Sequence, residues 1–365
     1  MKSVVLFPYC PWPANSGTNV ELFKHLEVLK ELGTCCIASA RSRPVGGGWT
    51  PEAIKHLKEQ GYEIVLREDA EKHWTAGQWV GMAYAAVMKS LRLEQTFGHG
   101  NPYHRYAYTS DWWQRITRDA DLAVINYTFS ARLPSKCPKV IVTHEVMSSH
   151  HWGGNKLEMK ELGQADLVIV VGKEEEEQLK SCGVKNVLWS PPVMHPMDLP
   201  VSPKLCLLGS DSNVNISALR WLEEAVSKDT PPIHVYGGLA RSVRSEGFVP
   251  VGRYEDRYDP YRECGIHLMA RSEMPGLQIK VVEALACGRA IVARKGSMRG
   301  LPPEPRAYIE VNSPDEMMAA AISLSEDENE RLKLSARAKS YYHKYLDSKK
   351  VLSDLKDAYC KLIRL

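Results

Sequence analysis

Hydrophobic and polar residues in the first 190 positions alternate between two spacings. SVVLFPY (3–9) is a continuous apolar run before a turn, which is typical of a buried parallel strand. NVELFKHLEVLKELG (19–33) has apolar residues at helical spacing and ends at Gly33, which predicts a helix. Further strands are predicted at TCCIASA (34–40), YEIVL (62–66), ADLAVINY (120–127), KVIVTHE (139–145) and ADLVIVVG (165–172), and a helix at PEAIKHLKEQG (51–61). This rhythm predicts a parallel, doubly wound α/β sheet.

The alternation is interrupted once and then restarts. WSPPVMHPMDLPVSPK (189–204) contains five prolines, which exclude regular structure and predict a stiff, extended connector. Strands are predicted beyond it at 205–210, 232–238, 265–270 and 290–293, and helices at 215–227, 277–288 and 314–325. Residues 329–365 have a helical pattern throughout. The expected architecture is two Rossmann-like domains that face a central cleft, where ligands usually bind.

Chemistry is concentrated in EMPGLQIKVVEALACGRAIVA, residues 273–293. Gly276 stands between a predicted strand and a predicted helix, whose free N–H groups and positive dipole end suit a phosphate or diphosphate. Glycine also lets a ligand approach the backbone closely. Glu283, two turns into that helix, can accept two hydrogen bonds from a vicinal diol such as a ribose. The alternative is an ordinary helix whose glutamate faces solvent.

Composition narrows the class. The 365 residues include 47 Lys and Arg against 44 Asp and Glu, and no like-charge block is long enough for a polyanion-binding tail. The nine cysteines show no C-x-x-C spacing, which favours reduced thiols. The apolar start is interrupted by prolines too early for a signal peptide, and no run approaches a membrane span. We therefore expect a cytoplasmic protein.

Residues 276–293, GLQIKVVEALACGRAIVA, resemble the donor-site signature of family-4 glycosyltransferases, retaining group 1 enzymes of the GT-B fold. The resemblance covers nearly the whole chain, including FPYCPWPANSGTNVELFKHLEVLKELG (7–33), KVIVTHEVMSSHHW (139–152) and FVPVGRYEDRYDPYRECGIHLMA (248–270). It implies an N-terminal acceptor domain (1–190), a hinge (191–204) and a nucleotide-sugar donor domain (205–345). It also implies that a C-terminal helix from about 346 to 365 packs back on the first domain.

The resemblance implies roles for individual positions. Glu283 matches the glutamate that binds the donor ribose, and His144 matches the histidine near the transferred sugar. Glu273 is the candidate for a second catalytic position. The remaining residues expected around the donor are Ser16, Gly17, Val251, Tyr254, Arg271, Gly276, Leu277, Gln278 and Lys280.

Three features depart from the family pattern. Pro275 stands where the first signature glutamate is expected, so Glu273 serves only if the loop follows a different path. The Arg and Lys that neutralise the diphosphate are missing from GSDSNVNISAL (209–219), and Lys280, Arg271 or Arg294 can substitute. Gly17 is followed by Thr18, where the family has paired glycines.

The implied reaction transfers a sugar from a nucleotide diphosphate donor to a hydroxyl, with retention and without a metal or cofactor. The D-x-D in RDADL (118–122) precedes a predicted strand, as QADL (164–167) does, which favours a strand-entry turn over a metal site. The expected acceptor is a glycan or lipid-linked glycan. Residues 88–118, where basic and aromatic residues interleave, are either an acceptor surface or a packed helical surface.

Three alternatives remain open from the sequence. A modified DNA base is a less favoured acceptor, because strong nucleic-acid binders are usually more basic. A nucleotide-sugar epimerase holds the same donor and needs no acceptor. A non-catalytic nucleotide-sugar-binding protein is suggested by Pro275 and by the missing basic pair.

Overall fold

The chain forms two α/β units. The computed structural model describes residues 1–13, 17–41, 47–71, 73–91, 106–146, 156–228, 230–272, 276–304 and 306–363. One unit comprises Met1–Val193 with Lys349–Leu365, and the other comprises Met194–Ser348.

The first unit is built on a seven-stranded sheet of order β3-β2-β1-β4-β5-β6-β7, in which every neighbouring pair is parallel. Its strands are β1 (Lys2–Leu6), β2 (Thr34–Ser39), β3 (Glu63–Leu66), β4 (Leu122–Asn126), β5 (Lys139–Thr143), β6 (Leu167–Val170) and β7 (Val187–Trp189). The helices are α1 (Gly17–Leu32), α2 (Pro51–Glu59), α3 (Arg67–Ala70), α4 (Ala76–Ser90), α5 (Ser110–Ile116), α6 (Lys156–Leu162) and α7 (Lys173–Ser181).

The continuous apolar runs of this sheet reflect burial on both faces. Val5 and Phe7 pack in one core with α1 and α2. Val4 and Leu6 point to the opposite face and pack in another core with the buried indoles of α5. Because successive strand residues point to opposite faces, a strand covered on both sides needs apolar residues at every position.

Two aspartates mark the entry of strands into this sheet. The Asp121 carboxylate accepts a hydrogen bond of 2.7 Å from the Lys2 amide, just before β4. Asp166 accepts an equivalent bond of 2.7 Å from the Lys139 amide, just before β6. Asp121 of the D-x-D sequence therefore occupies a strand-entry turn.

The last helix, α13 (Ser348–Ile363), packs into the first unit, with Leu355 and Tyr359 in the core of β1 and α1. The Tyr359 hydroxyl lies 2.6 Å from His25 Nδ1 in α1. The other ring nitrogen of His25 lies 3.1 Å from Glu21. Burial alone would raise the pKa of Glu21, but the charge of Lys24 and the bond with His25 outweigh it and lower that pKa to about 2.

The second unit is built on a six-stranded parallel sheet of order β10-β9-β8-β11-β12-β13. Its strands are β8 (Leu205–Leu208), β9 (Ile233–Tyr236), β10 (Phe248–Gly252), β11 (Ile266–Met269), β12 (Ala290–Arg294) and β13 (Ile309–Val311). Its helices are α8 (Asn213–Glu223), α9 (Asp259–Glu263), α10 (Ile279–Ala286), α11 (Pro314–Glu326) and α12 (Glu328–Tyr345). The strand order reverses between β8 and β11, which is where doubly wound sheets bind ligands.

The proline-rich connector has no helix or strand from Ser190 to Pro203, yet much of it is fastened to the second unit. Arg289, fully buried, donates to the carbonyls of Leu199 (2.9 Å) and Pro200 (2.8 Å). The Tyr342 and Ser348 hydroxyls both bond to the Met194 carbonyl. The two places where the chain passes between units are thereby held side by side.

Several elements differ from the sequence prediction. The C-terminal pattern is two helices, α12 and α13, because Leu346 and Asp347 separate them. Strands β7 and β13 have three residues each, too few for a recognisable apolar run.

All nine cysteines are free thiols. Within the described ranges, no helix is long and apolar enough to cross a membrane.

We predict that Arg289→Met lowers the free energy of unfolding by about 2–4 kcal/mol, because it leaves several buried carbonyls without a donor. Urea unfolding checks this. The matched control is Lys339→Met, which removes an ion pair of 2.6 Å between the same connector and α12. Its partner Asp198 is 95% exposed, so the control should leave stability nearly unchanged. Equal effects of the two variants would contradict the buried role of Arg289.

Candidate functional site

The turn between β11 and α10 presents a helix start at the sheet's carboxyl edge. Gly276 has φ +77°, in the left-handed region that favours glycine. Gln278 precedes the first helical residue, Ile279, and its side chain does not cap the helix. Glu283 therefore lies little more than one turn into α10, and the predicted two turns are wrong, because the helix begins two residues later than its apolar pattern.

Ser297 fixes this turn. Its hydroxyl lies 2.5 Å from the Met269 carbonyl and 2.6 Å from the Arg271 carbonyl, at the end of β11. Its own carbonyl accepts a bond of 2.8 Å from the side-chain Nε2 of Gln278. Gln278 Oε1 is buried and has no hydrogen-bond partner. The helix start is thus held in place by side chains, and the first N–H groups of a helix have no acceptor within the helix itself.

Two cations lie beside this helix start. Lys280 donates a bond of 2.7 Å to the Leu208 carbonyl, where β8 ends. Burial, and secondly the charge of Arg271, lower the pKa of Lys280 to about 7. Burial also lowers the pKa of Arg271, whose Nε is buried without a partner. Among the described residues neither cation forms an ion pair, so the geometry favours an anion between them.

Glu283 is buried and already has two partners. Arg257 bonds to Oε1, through Nε at 3.1 Å and more closely through Nη2. The Tyr261 hydroxyl donates to Oε2 at 2.6 Å. Each carboxylate oxygen has two lone pairs, so a diol can still bind if it shares these acceptors. Glu283 therefore does not face solvent.

The predicted nucleobase border lies after β10. Tyr254 is half-buried, and its ring meets Tyr236 edge to face at 6.2 Å. Burial, and secondly the charge of Glu283, raise the pKa of Tyr254. Val251 is 42% exposed. An exposed apolar side chain and a half-buried aromatic ring thus follow one another at the end of β10.

Sequence reasoning missed the partners that shape this site. Arg257, Tyr261 and Ser297 lie between 19 and 28 residues from the residues they hold, and no local motif marks them. Of the proposed substitutes for the basic pair, Lys280 and Arg271 come together. Arg294 instead lies over the Trp221 ring, 4.3 Å from its centre.

In the first unit, His144 follows β5 at the carboxyl edge of the sheet. Its Nε2 lies 3.1 Å from Asn126 Oδ1, and Asn126 donates through Nδ2 to the Leu6 carbonyl at 3.0 Å. The Asn126 amide is thereby oriented, so His144 carries its proton on Nε2. Among the described residues Nδ1 has no hydrogen-bond partner, and its lone pair can accept.

The surroundings of His144 keep it neutral. Burial lowers its pKa to about 4. Its ring lies 4.2 Å from the ring of Tyr127, which has φ +68°, a strained value for a residue other than glycine. Glu175 accepts a bond of 2.8 Å from the Val146 amide and so fixes the segment that follows.

The other predicted positions of the first unit are less informative. Gly17 is the first residue of α1. Ser16 lies outside the described residues, as Glu273 does in the second unit. Of residues 88–118, Trp112 and Trp113 are fully buried, which favours the packed-surface interpretation there. Residues 92–105 lie outside the described part. No group of His, Cys, Asp or Glu within the described ranges could hold a metal ion.

Comparison with known proteins agrees with this geometry. Residues 216–357 match the protein family described as glycosyl transferase-like. The match confirms the predicted class, a group 1 glycosyltransferase, and with it an enzyme that transfers a sugar. No curated protein matches the chain in sequence.

Solved structures confirm the GT-B fold. TarM superimposes with a TM-score of 0.71 at 11% identity, over 100% of this chain and 99% of its own. HepE of Anabaena, in complex with UDP-glucose, has a TM-score of 0.64 at 12% identity, over 99% and 100%. WaaG, a glycosyltransferase involved in lipopolysaccharide biosynthesis, has a TM-score of 0.61 at 13% identity, over 98% and 99%.

We predict that pyrophosphate binds wild-type protein more tightly than Lys280→Gln, and that this advantage depends on pH. Below its pKa of about 7, Lys280 is protonated and the advantage is complete. Above pH 7 the free protein loses that proton, so the advantage falls as pH rises towards about 9. Calorimetry at several pH values measures the affinity of both proteins for pyrophosphate. Ionisation of pyrophosphate affects both proteins equally, so it cancels in the comparison with Lys280→Gln.

The matched control is Lys204→Gln, at an exposed lysine of the same unit. This variant should follow wild type at every pH. An affinity advantage that does not change between pH 6 and 9 would contradict the assignment of Lys280 to the anion.

Proposed function

We propose that the chain transfers a glycosyl group from a nucleoside diphosphate sugar to an acceptor hydroxyl, with retention and without a metal ion. In this reaction the bond from the anomeric carbon to the diphosphate breaks, and the acceptor oxygen bonds to that carbon as its proton leaves. Negative charge grows on the diphosphate, so the enzyme must stabilise that charge.

The observation that carries the proposal is the pairing of Lys280 and Arg271 at the start of α10. Lys280 Nζ lies 2.7 Å from the carbonyl oxygen of Leu208, the last residue of β8. Burial lowers the pKa of Lys280 and that of Arg271. A diphosphate between them would restore full protonation of Lys280 and bond to the free amides near Leu277. Fixed cations and amides would thus supply the charge compensation that a metal ion gives elsewhere.

Glu283 would hold the ribose from the same helix. The diphosphate and the ribose are adjacent in a nucleotide, and Glu283 lies one turn after the start of α10. A nucleotide with its diphosphate at the helix start would therefore bring its ribose to Glu283. Tyr261 and Arg257 keep the carboxylate oriented, which reduces the entropy lost on binding. Tyr254 would border the base.

His144 would bind the transferred sugar as a neutral hydrogen-bond acceptor. Its pKa of about 4 makes it a weak base at pH 7, so positioning is the better role. Nδ1 would accept a bond from a sugar hydroxyl, while Asn126 holds the tautomer.

Two comparisons guide the choice of substrates. HepE was crystallised with UDP-glucose, which makes UDP-glucose the first donor to test here. WaaG acts in lipopolysaccharide biosynthesis, which supports a glycan acceptor over a nucleic acid.

We predict that Glu283→Ala weakens binding of the accepted nucleotide sugar at least about fivefold, because two hydrogen bonds to a charged group are lost. Calorimetry with UDP-glucose and related donors measures this. Glu255→Ala, which removes an exposed carboxylate two residues before Arg257, is the control and should bind as wild type does. Equal affinity of both variants would contradict the ribose assignment.

The alternatives give different products. A metal-independent transferase hydrolyses its donor slowly and transfers the sugar to an acceptor. Neither reaction should be inhibited by EDTA. An epimerase converts the donor alone into a new isomer, and a binding protein leaves it unchanged. Either result, seen by chromatography of donor incubated with wild-type protein, would contradict the proposed reaction.

We predict that His144→Ala lowers turnover at least tenfold and leaves donor affinity within about twofold, because its bond matters most when the sugar is correctly oriented. Because the pKa of His144 lies near 4, its titration should not change the turnover of the wild-type enzyme between pH 5 and 8. Steady-state kinetics over this pH range checks this. An acidic limb near pH 6.5 that disappears in His144→Ala would indicate a general base instead.

A further inference from the structure

An unassigned arginine lies at the carboxyl edge of the first unit's sheet. Arg67 follows β3 directly, and its side chain has no exposed surface. Nη2 lies 3.2 Å from Glu68 Oε1, and this is the one side-chain hydrogen bond of Arg67 within the described ranges. Nε and Nη1 are buried and have no partner. The three N–H donors on Nε and Nη1 are therefore unused.

Such a group is costly unless something pairs with it. Trp74 contributes a ring face, 4.9 Å from the guanidinium carbon. Glu68 is a shared partner, because its other oxygen accepts a bond of 2.8 Å from the Arg41 amide. One long bond and one ring face do not replace the hydration of a guanidinium. The unused donors call for an acceptor that the described residues do not supply.

Neighbouring groups share this deficit. The Tyr108 hydroxyl is buried and unpartnered, and so is the indole N–H of Trp112, whose ring stacks on Tyr108 at 5.5 Å. Trp74, over which Arg67 lies, packs against the core that contains Tyr108 and Trp112. Burial raises the pKa of Tyr108, while the Ser39 hydroxyl and then the charge of Arg67 act in the opposite direction. Tyr108 therefore stays protonated and can donate.

We propose that Arg67 and Tyr108 bind an oxyanion, a phosphate or a carboxylate, carried by the sugar acceptor. This rests on the proposed function and on the acceptor domain that the family resemblance implies for residues 1–190. An oxyanion has the charge to pair with Arg67 and enough lone pairs for the unused N–H and O–H donors. Glu68 balances the charge of Arg67 through one N–H group, and an oxyanion would fill the donors that remain.

Access to this site requires movement. The guanidinium has no exposed surface, so an oxyanion reaches it only after a neighbouring segment moves aside. Association should therefore be slower than for a preformed surface site.

The test measures binding of glucose 6-phosphate, glucuronate and inorganic phosphate by calorimetry, with sodium chloride at matched ionic strength. Arg67→Met should weaken the tightest of these at least tenfold, because a charged pairing is lost. Tyr108→Phe keeps the ring stack and should weaken it several-fold. Arg118→Met, at an exposed arginine of the same unit, is the control and should bind as wild type does.

Equal binding by wild type and Arg67→Met, or no binding by either, would overturn the site, since buried water would then satisfy the donors. Tight binding of inorganic phosphate alone would overturn its assignment to the acceptor. UDP-glucose binding to Arg67→Met separates this proposal from the proposed function. If Arg67→Met still binds UDP-glucose as wild type does but no longer binds the oxyanion, the acceptor site is supported. If instead the Glu283→Ala prediction fails, the proposed donor site is contradicted and the oxyanion measurements still stand.

Discussion

Two positive charges beside the start of one short helix constrain the second unit. Lys280 and Arg271 are held there by the Leu208 carbonyl and by the turn that Ser297 fixes, and burial lowers the pKa of both. A protein stabilised for folding alone would separate these charges or pair them. Their arrangement is consistent with binding energy reserved for an anion, and the free amides before Ile279 provide its remaining contacts.

The first unit shows a comparable pattern with different chemistry. Its sheet is buried on both faces, so polar side chains are concentrated at the carboxyl ends of the strands. There Asn126 fixes the tautomer of His144, and Arg67 retains unused donors. The unsatisfied donors of Arg67 and Arg271 both follow strands at the edge where doubly wound sheets bind ligands.

Much of the fold could be predicted from the sequence, because strands covered on both faces must be continuously apolar and glycines end the helices between them. Strands β7 and β13 were missed because three residues cannot display a period. In the site, Gly276, Lys280 and Glu283 share one local motif and could be found. Arg257, Tyr261 and Arg67 could not, because their importance comes from burial and from partners distant in sequence.

The most direct test of the account is a crystal structure of the protein with bound UDP. We expect the diphosphate between Lys280 and Arg271, against the amides near Leu277, and both ribose hydroxyls within hydrogen-bond distance of Glu283. A nucleotide bound elsewhere, with Lys280 still on the Leu208 carbonyl and Glu283 contacted only by Arg257 and Tyr261, would contradict the account.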